Sequence, residues 1–142
     1  MAPAAAAAWP ASRVTPILLD TDVLIDYLRD APAAVRLLDP RIVAGEPVAA
    51  SVISKAEVLA GMRTSEEERT VRTLGSLALL AVNDAIATRA GALARHYRSS
   101  HPGIGLADYL IAATAVLLGA ELWTQNPRHF PMFEGLEPPY ER

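Results

Sequence analysis

The stretch ILLDTDVLIDYL, residues 17–28, changes from a strand pattern to a helix pattern at Asp20. The continuous apolar run before Asp20 predicts a short buried strand, which Pro16 precedes. The residues after it predict a helix, because its apolar positions recur at helical spacing: Val23, Leu24, Tyr27 and Leu28. Three aspartates within seven positions repel one another. They must therefore face water or share a positive partner.

The same alternation of strand and helix continues along the chain. Strands are predicted in residues 16–20, 47–53, 79–82 and 120–126, with a short last strand possible in 127–142. Helices are predicted in 21–30, 31–40, 54–62, 83–100 and 105–120, and another begins at Ser65. Pro40 predicts the end of the second helix. Ser54 and Glu57 predict a capping box at the start of the third. Strands joined by long helical connections predict a mostly parallel sheet with helices on both faces.

Composition narrows the class of protein. The 142 residues are 51% hydrophobic and 20% charged, which predicts a folded soluble protein. There is no cysteine, so disulfides and thiolate metal sites are excluded. The net charge is −3, with Lys55 as the only lysine, so nucleic acid could be bound only through a local basic patch.

The two ends of the chain differ from its middle. Residues 1–15 are alanine-rich and punctuated by proline, which predicts a disordered tail rather than a signal peptide. Residues 16–142 are predicted to form a single domain. The most apolar stretch, LIAATAVLLGA (110–120), is too short to span a bilayer.

Three acids stand near the beginnings of three separate predicted elements. Asp20 could simply cap a helix, Glu57 could belong to the capping box, and Asp108 could complement a helix dipole. Each of them, however, lies in apolar surroundings, and neither Asp20 nor Asp108 has an arginine immediately beside it. A buried carboxylate needs a charged partner or a cation. A hard divalent cation such as Mg²⁺ is therefore predicted between them.

Four motifs, in this order and spacing, resemble the PIN-domain ribonucleases and, more narrowly, the VapC toxins of VapBC toxin–antitoxin pairs. They are LDTDVLID (19–26), SVISKAEVLAGM (51–62), GLADYLIAATA (105–115) and LWTQNPRHF (122–130). The resemblance covers residues 16–138. It implies a PIN-like three-layer α/β/α sandwich around a mostly parallel sheet of four to five strands. It also implies a cytoplasmic endoribonuclease that uses Mg²⁺ or Mn²⁺, with a cognate VapB-type antitoxin as partner.

The resemblance assigns catalytic and metal-binding roles to three acids. Asp20 matches the first acid of the family, Glu57 the helix acid and Asp108 the acid of the buried helix. Asp20 and Asp108 are expected to ligate the metal directly, whereas Glu57 ligates through water or orients the attacking water. A bound metal polarises a phosphoryl oxygen and activates water for in-line attack on the phosphodiester.

Supporting positions follow from the same motifs. Thr21 matches the hydroxyl residue after the first acid, and Thr124 matches the threonine of the turn after the last strand. Asn126 stands where the four-acid pattern has its fourth acid. The missing negative charge implies one well-held metal, with a second arriving only with substrate phosphate.

The remaining charged residues have weaker assignments. Residues 85–107 contain no acid, and within them Arg89, Arg95 and Arg98 are candidates for RNA contact, with an ordinary solvated helix face as the alternative. Asp22 and Asp26 are expected to cap or solvate the first helix, with Arg29 or solvent as the partner of Asp26. His129 is expected to be structural rather than a ligand.

Two other functions fit parts of the sequence. LLDTDVL (18–24) also matches the first motif of haloacid-dehalogenase-type phosphatases, with Asp20 as nucleophile and Asp22 as general acid–base. That class needs a later lysine or arginine and a further acidic pair at a strand end, but Lys55 lies too early for that role and no acidic pair follows LWTQN (122–126). The other alternative is a catalytically inactive PIN-like protein-binding module. Family resemblance also implies a homodimer, for which helices in APAAVRLLD (31–39) and SLALLA (76–81) offer apolar surface.

Overall fold

Four short parallel strands form one sheet. The structure is a computed structural model that describes residues 14–142, so the predicted tail lies outside the described residues except for its last two positions. The strands are β1 (Ile17–Leu19), β2 (Val48–Ser51), β3 (Ala78–Leu80) and β4 (Glu121–Trp123). Their order across the sheet is β3-β2-β1-β4, with every pair parallel. The predicted parallel α/β class is therefore confirmed.

The strands are connected by helices. They are α1 (Thr21–Leu28), α2 (Pro32–Val43), α3 (Val52–Gly61), α4 (Glu67–Gly75), α5 (Asp84–Tyr97) and α6 (Leu106–Leu118). Two 3-10 turns accompany them, at Thr64–Glu66 and Pro127–His129. Gly119 ends α6 in the left-handed conformation that glycine adopts readily. Within residues 14–142, no helix has both the length and the apolar character needed to cross a bilayer.

Both faces of the sheet are covered, which gives the three layers that the sequence predicts. Along β1, Ile17 and Leu19 pack into one cluster with residues of α1 to α4, such as Leu24 and Leu38. Leu18 points to the opposite face and packs into a second cluster with residues of α6. Helix α5 forms the outer layer of that second face by packing on α6. Burial on both faces explains why β1 is a continuous apolar run.

Three predictions about local structure are wrong. The second helix does not end at Pro40 but continues to Val43, and the Arg41 guanidinium donates to the Leu37 carbonyl in the turn around the proline. Proline weakens a helix but does not end it where the flanking turns remain packed. The helix predicted to offer interface surface in SLALLA (76–81) is absent, because this stretch contains the edge strand β3 (Ala78–Leu80). The described residues after β4 contain a 3-10 turn and no fifth strand.

Candidate active site

Asp20 lies where the strand order reverses. The chain moves outward from β1 to β2 and β3, and then returns to place β4 on the other side of β1. Open α/β sheets form their sites at such a reversal, beyond the carboxyl ends of the strands. Asp20 follows β1 directly and Thr124 follows β4, and the Asp20 backbone N–H donates to the Trp123 carbonyl at 2.9 Å.

The Asp20 carboxylate is buried and held at both oxygens. It is 6% exposed, and Oδ1 accepts from the Thr21 backbone N–H at 2.8 Å. Oδ2 accepts from the Thr124 hydroxyl at 2.7 Å. Asp20 also occupies the N-cap position of α1. The capping role is therefore real, but it uses one oxygen only, while the other faces the turn after β4.

The charge of Asp20 is not neutralised by the protein. Within residues 14–142, no lysine or arginine forms an ion pair with it. Burial, repulsion from Asp22 and a smaller repulsion from Asp108 raise the pKa of Asp20 to about 7, although its hydrogen bonds from Thr124 and Thr21 oppose the rise. A positive partner at this position would therefore be strongly favoured.

Glu57 reaches the site through Thr21. The Thr21 hydroxyl donates to Glu57 Oε1 at 2.7 Å and lies 2.9 Å from the Ser54 hydroxyl. The predicted capping box is wrong, because the N-cap of α3 is Ser51, whose side chain accepts from the Ile53 N–H. Since the N-cap of α3 lies three residues earlier than predicted, Ser54 falls inside the helix, where it is buried and contacts Thr21.

Asp108 lies in the first turn of α6 and is paired with a histidine. Its Oδ2 is 2.8 Å from Nδ1 of His129, and the two side chains are 24% and 40% exposed. The repulsion that Asp108 exerts on Asp20 places the two carboxylates in the same electrostatic neighbourhood. Ile111, Ala112 and Ala115, which lie on the same stripe of α6 as Asp108, are buried, in agreement with the apolar surroundings predicted for this acid.

The turn after β4 connects these acids. The Thr124 hydroxyl, which donates to Asp20, accepts from the Asn126 backbone N–H at 3.0 Å. The Gln125 backbone N–H donates to Asp22 Oδ2 at 3.0 Å. Nothing in the sequence indicates this role for Gln125, because a backbone donor leaves no trace in side-chain type. Asn126 lies in this turn as predicted, and no hydrogen bond involves its side chain in the described residues.

The two other aspartates of the opening stretch have partners of their own. Asp22 accepts from the Val23 N–H at 2.7 Å as well as from Gln125, and burial raises its pKa. Asp26 accepts from the Tyr140 hydroxyl at 2.7 Å and from the Arg142 guanidinium at 3.0 Å. The prediction that Asp26 would pair with Arg29 or face solvent is therefore wrong. Arg29 pairs with Glu66 instead, and the Asp26 side chain is only 17% exposed.

The predicted RNA-contact arginines lie away from these contacts. Arg89 and Arg95 are exposed on α5, and Arg98 is exposed at its C-cap. Within residues 14–142, none of the three forms an ion pair with an acid. Their charges are therefore free for a phosphate, but the structure does not bring them into contact with Asp20, Glu57 or Asp108.

The oxygen donors fit a hard divalent cation. As they are placed, no three His, Asp or Glu side chains of residues 14–142 form a complete metal cluster. However, Asp108 Oδ1 and Glu57 Oε2 accept no hydrogen bond from the described residues, and Asp20 carries a buried charge without a basic partner. Carboxylate oxygens close to an uncompensated buried charge are what Mg²⁺ or Mn²⁺ binds.

Comparisons with known proteins agree with this geometry. The family model described as PIN domain matches residues 17–133. Ribonuclease VapC19 of Mycobacterium tuberculosis is 49% identical over 87% of this chain and 98% of its own length. Ribonuclease VapC10 of the same organism is 49% identical over 87% of this chain and 92% of its own length. The fold also matches the toxin–antitoxin complex from Klebsiella pneumoniae with a TM-score of 0.73 and 33% identity, over 89% of this chain and 99% of that one. This chain therefore belongs to the PIN-domain family and, within it, to the VapC proteins.

Proposed function

We propose that this chain is a metal-dependent endoribonuclease and the toxin of a type II toxin–antitoxin pair, acting in the cytoplasm. The observation that carries the proposal is the buried Asp20, whose charge has no basic partner while a second carboxylate, Asp108, adds to the repulsion. Membership in the VapC family and the ribonuclease names of relatives at 49% identity support the activity. Residues 16–142 are proposed to act as one nuclease domain.

Asp20 and Asp108 are the proposed direct ligands of Mg²⁺ or Mn²⁺, with Glu57 as third acid. A bound divalent cation supplies the Lewis acid that polarises a phosphoryl oxygen. The Thr21 backbone N–H and the Thr124 hydroxyl each donate to one oxygen of the Asp20 carboxylate, which leaves a lone pair on each oxygen for a metal. Glu57 is fixed at Oε1 by Thr21, so its Oε2 is free to orient the attacking water. Water adds to phosphorus and one ester P–O bond breaks.

The antitoxin is proposed to bind beside Glu57. A narrow cavity of about 50 Å³ lies there between α1, α3 and α4, lined by residues that include Ile25, Val58 and Met62. It shares Arg29 with a wider groove of about 380 Å³ that runs along Arg63 and Arg69. An apolar cavity that opens into a polar groove next to the acids suits a peptide segment covering the site. A homodimer is also proposed.

The phosphatase alternative has little support in the site. Its general acid–base would be Asp22, but both oxygens of Asp22 accept backbone N–H groups. The lysine that such an enzyme needs has no candidate at the site, because Lys55, the only lysine of the chain, is exposed and makes no ion pair in the described residues. An inactive PIN-like module remains as one outcome of the test below.

The test is cleavage of a structured RNA pool by the purified, antitoxin-free protein. Reactions contain Mg²⁺, Mn²⁺ or EDTA, and wild type is compared with Asp20→Asn, Asp108→Asn and the matched exposed control Glu134→Gln. We expect cutting with either metal, none with EDTA, and a loss of at least about a hundredfold in the two site variants only. A folded wild type that cuts no RNA with either metal would overturn the nuclease and favour the binding module.

A further inference from the structure

We propose that His129 is a positioning residue that fixes Asp108 for metal binding. The inference rests on the proposed metal-dependent function, and it assigns a role to a side chain that the sequence analysis treated as structural. It is carried by the 2.8 Å contact between His129 Nδ1 and Asp108 Oδ2.

The segment 124–129, which follows β4, contacts three acids. Thr124 holds Asp20 through its hydroxyl, and the Gln125 backbone N–H holds Asp22. His129 contacts Asp108, which belongs to a different element, α6, and lies 21 positions away in sequence. The first two contacts fix acids of the β1–α1 junction. His129 alone links this segment to α6 by a side-chain hydrogen bond, so the position of the Asp108 carboxylate relative to Asp20 depends on it.

The chemistry of the pair leaves one carboxylate oxygen available. A carboxylate in its ionised form only accepts hydrogen bonds, so the 2.8 Å contact with Oδ2 requires the form of His129 that carries a proton on Nδ1. Oδ1 of Asp108 has no hydrogen-bond donor in residues 14–142, and Nε2 of His129 has no partner there either. Outer groups that orient a ligand in this way commonly change metal affinity by about 10- to 100-fold when they are removed.

The histidine is itself held in place by its backbone. It ends the 3-10 turn Pro127–His129, where its N–H donates to the Asn126 carbonyl at 3.1 Å. The next residue, Phe130, is 1% exposed and anchors the turn in the core cluster of α6. A histidine whose backbone is fixed on both sides can restrict a carboxylate, which a side chain on a mobile loop could not do.

The experiment uses two amides that differ in where they place their N–H. The amide nitrogen of asparagine lies as many bonds from the backbone as Nδ1, whereas that of glutamine corresponds to Nε2. The full-length variants His129→Asn, His129→Gln and His129→Ala are compared with wild type and with the control His96→Asn, an exposed histidine on α5. Four quantities are measured at one pH: the Mn²⁺ affinity by calorimetry, kcat and KM for RNA, and the thermal midpoint.

We expect the alanine and glutamine variants to bind Mn²⁺ about tenfold more weakly and to lose kcat to a similar extent, with KM nearly unchanged. The asparagine variant should stay within about threefold of wild type, and the control should be unaffected. Equal affinities for asparagine and glutamine variants, or wild-type affinity in the alanine variant, would refute the positioning role alone. A wild type that neither binds Mn²⁺ nor cuts RNA would overturn the proposed function, and the inference with it.

Discussion

Replacing Asp20 with asparagine is expected to stabilise the metal-free protein while abolishing RNA cleavage. The wild-type carboxylate is buried beside Asp22 and Asp108, and no basic side chain of the described residues pairs with it. Asparagine has the same shape and carries no charge. It can keep the hydrogen bond from the Thr21 N–H, because its carbonyl oxygen also accepts.

The magnitude follows from the pKa of Asp20. Burial and the neighbouring acids raise this pKa from 3.8 to about 7. At about 1.4 kcal/mol per pKa unit, ionising the folded protein at pH 8 reduces its free energy of unfolding by about 4 kcal/mol. In the variant, the Thr124 hydroxyl must reverse its hydrogen bond toward the amide, which removes about 1 kcal/mol of the gain. A net stabilisation of about 2 to 3 kcal/mol at pH 8 is expected.

The sign of the pH dependence distinguishes this cause from a general effect on packing. Because the folded pKa lies above the unfolded one, the wild type keeps the full contribution of a protonated Asp20 below about pH 4 and loses it as the pH rises through about 7. The stability difference between variant and wild type should therefore be small at pH 5 and largest at pH 8.

The assay is urea denaturation with EDTA at pH 5, 6, 7 and 8, followed by the same series with Mn²⁺. Added metal should stabilise the wild type, because it binds only the folded state, and should leave the variant unchanged. The difference in stability between variant and wild type should therefore narrow or reverse. A variant that is no more stable than wild type at pH 8, or whose advantage does not grow between pH 5 and pH 8, would refute the reasoning.

Three further substitutions test contacts around the site and in the core, each by urea denaturation of the metal-free protein. Tyr140→Phe removes only the hydroxyl that donates to Asp26, so a loss of about 1 kcal/mol is expected, and an unchanged midpoint would contradict it. Thr124→Val keeps the volume but removes the donor to Asp20, so a loss of about 2 kcal/mol at pH 8 is expected; equal stability would show that the hydroxyl contributes nothing. Leu38→Ala should lose about 2 to 4 kcal/mol, because Leu38 is fully buried, and a loss below 1 kcal/mol would mean that α2 packs loosely.

Sequence patterns predicted which helices and strands form better than the residues at which they begin and end. The change of period at Asp20 located β1 and α1, because a strand buried on both faces and a helix buried on one have different apolar spacings. The start of α3 was misplaced because both Ser51 and Ser54 are suitable caps. The choice between them depends on Thr21, which contacts Ser54 from 33 positions away. The prediction that the helix ends at Pro40 was wrong because a proline destabilises only the adjacent turn, whereas the helix is retained by tertiary packing.

Long-range partners were the part of the site that the sequence could not provide. Asp26 finds Tyr140 across 114 positions and Asp108 finds His129 across 21, and neither pairing has a spacing rule that would predict it. The contact between Thr124 and Asp20 spans 104 positions, and the family motifs indicated Thr124 as a supporting residue without naming its partner. Single residue types near strand ends therefore indicate where a site forms, but not which hydrogen bonds shape it.

The order in which the chain supplies these groups links the site to completion of the fold. The acids in and around the site are spread along the chain from Asp20 to Asp108. Several of their hydrogen-bond partners, however, lie in residues 124–140. Strand β4 is the last strand in the chain, and by pairing with β1 at the edge of the sheet it brings Thr124 to Asp20. A chain that ended before β4 would still contain Asp20, Glu57 and Asp108, yet it would lack the donors that orient two of them. The carboxylates thus become a site through the last strand rather than through their own local structure.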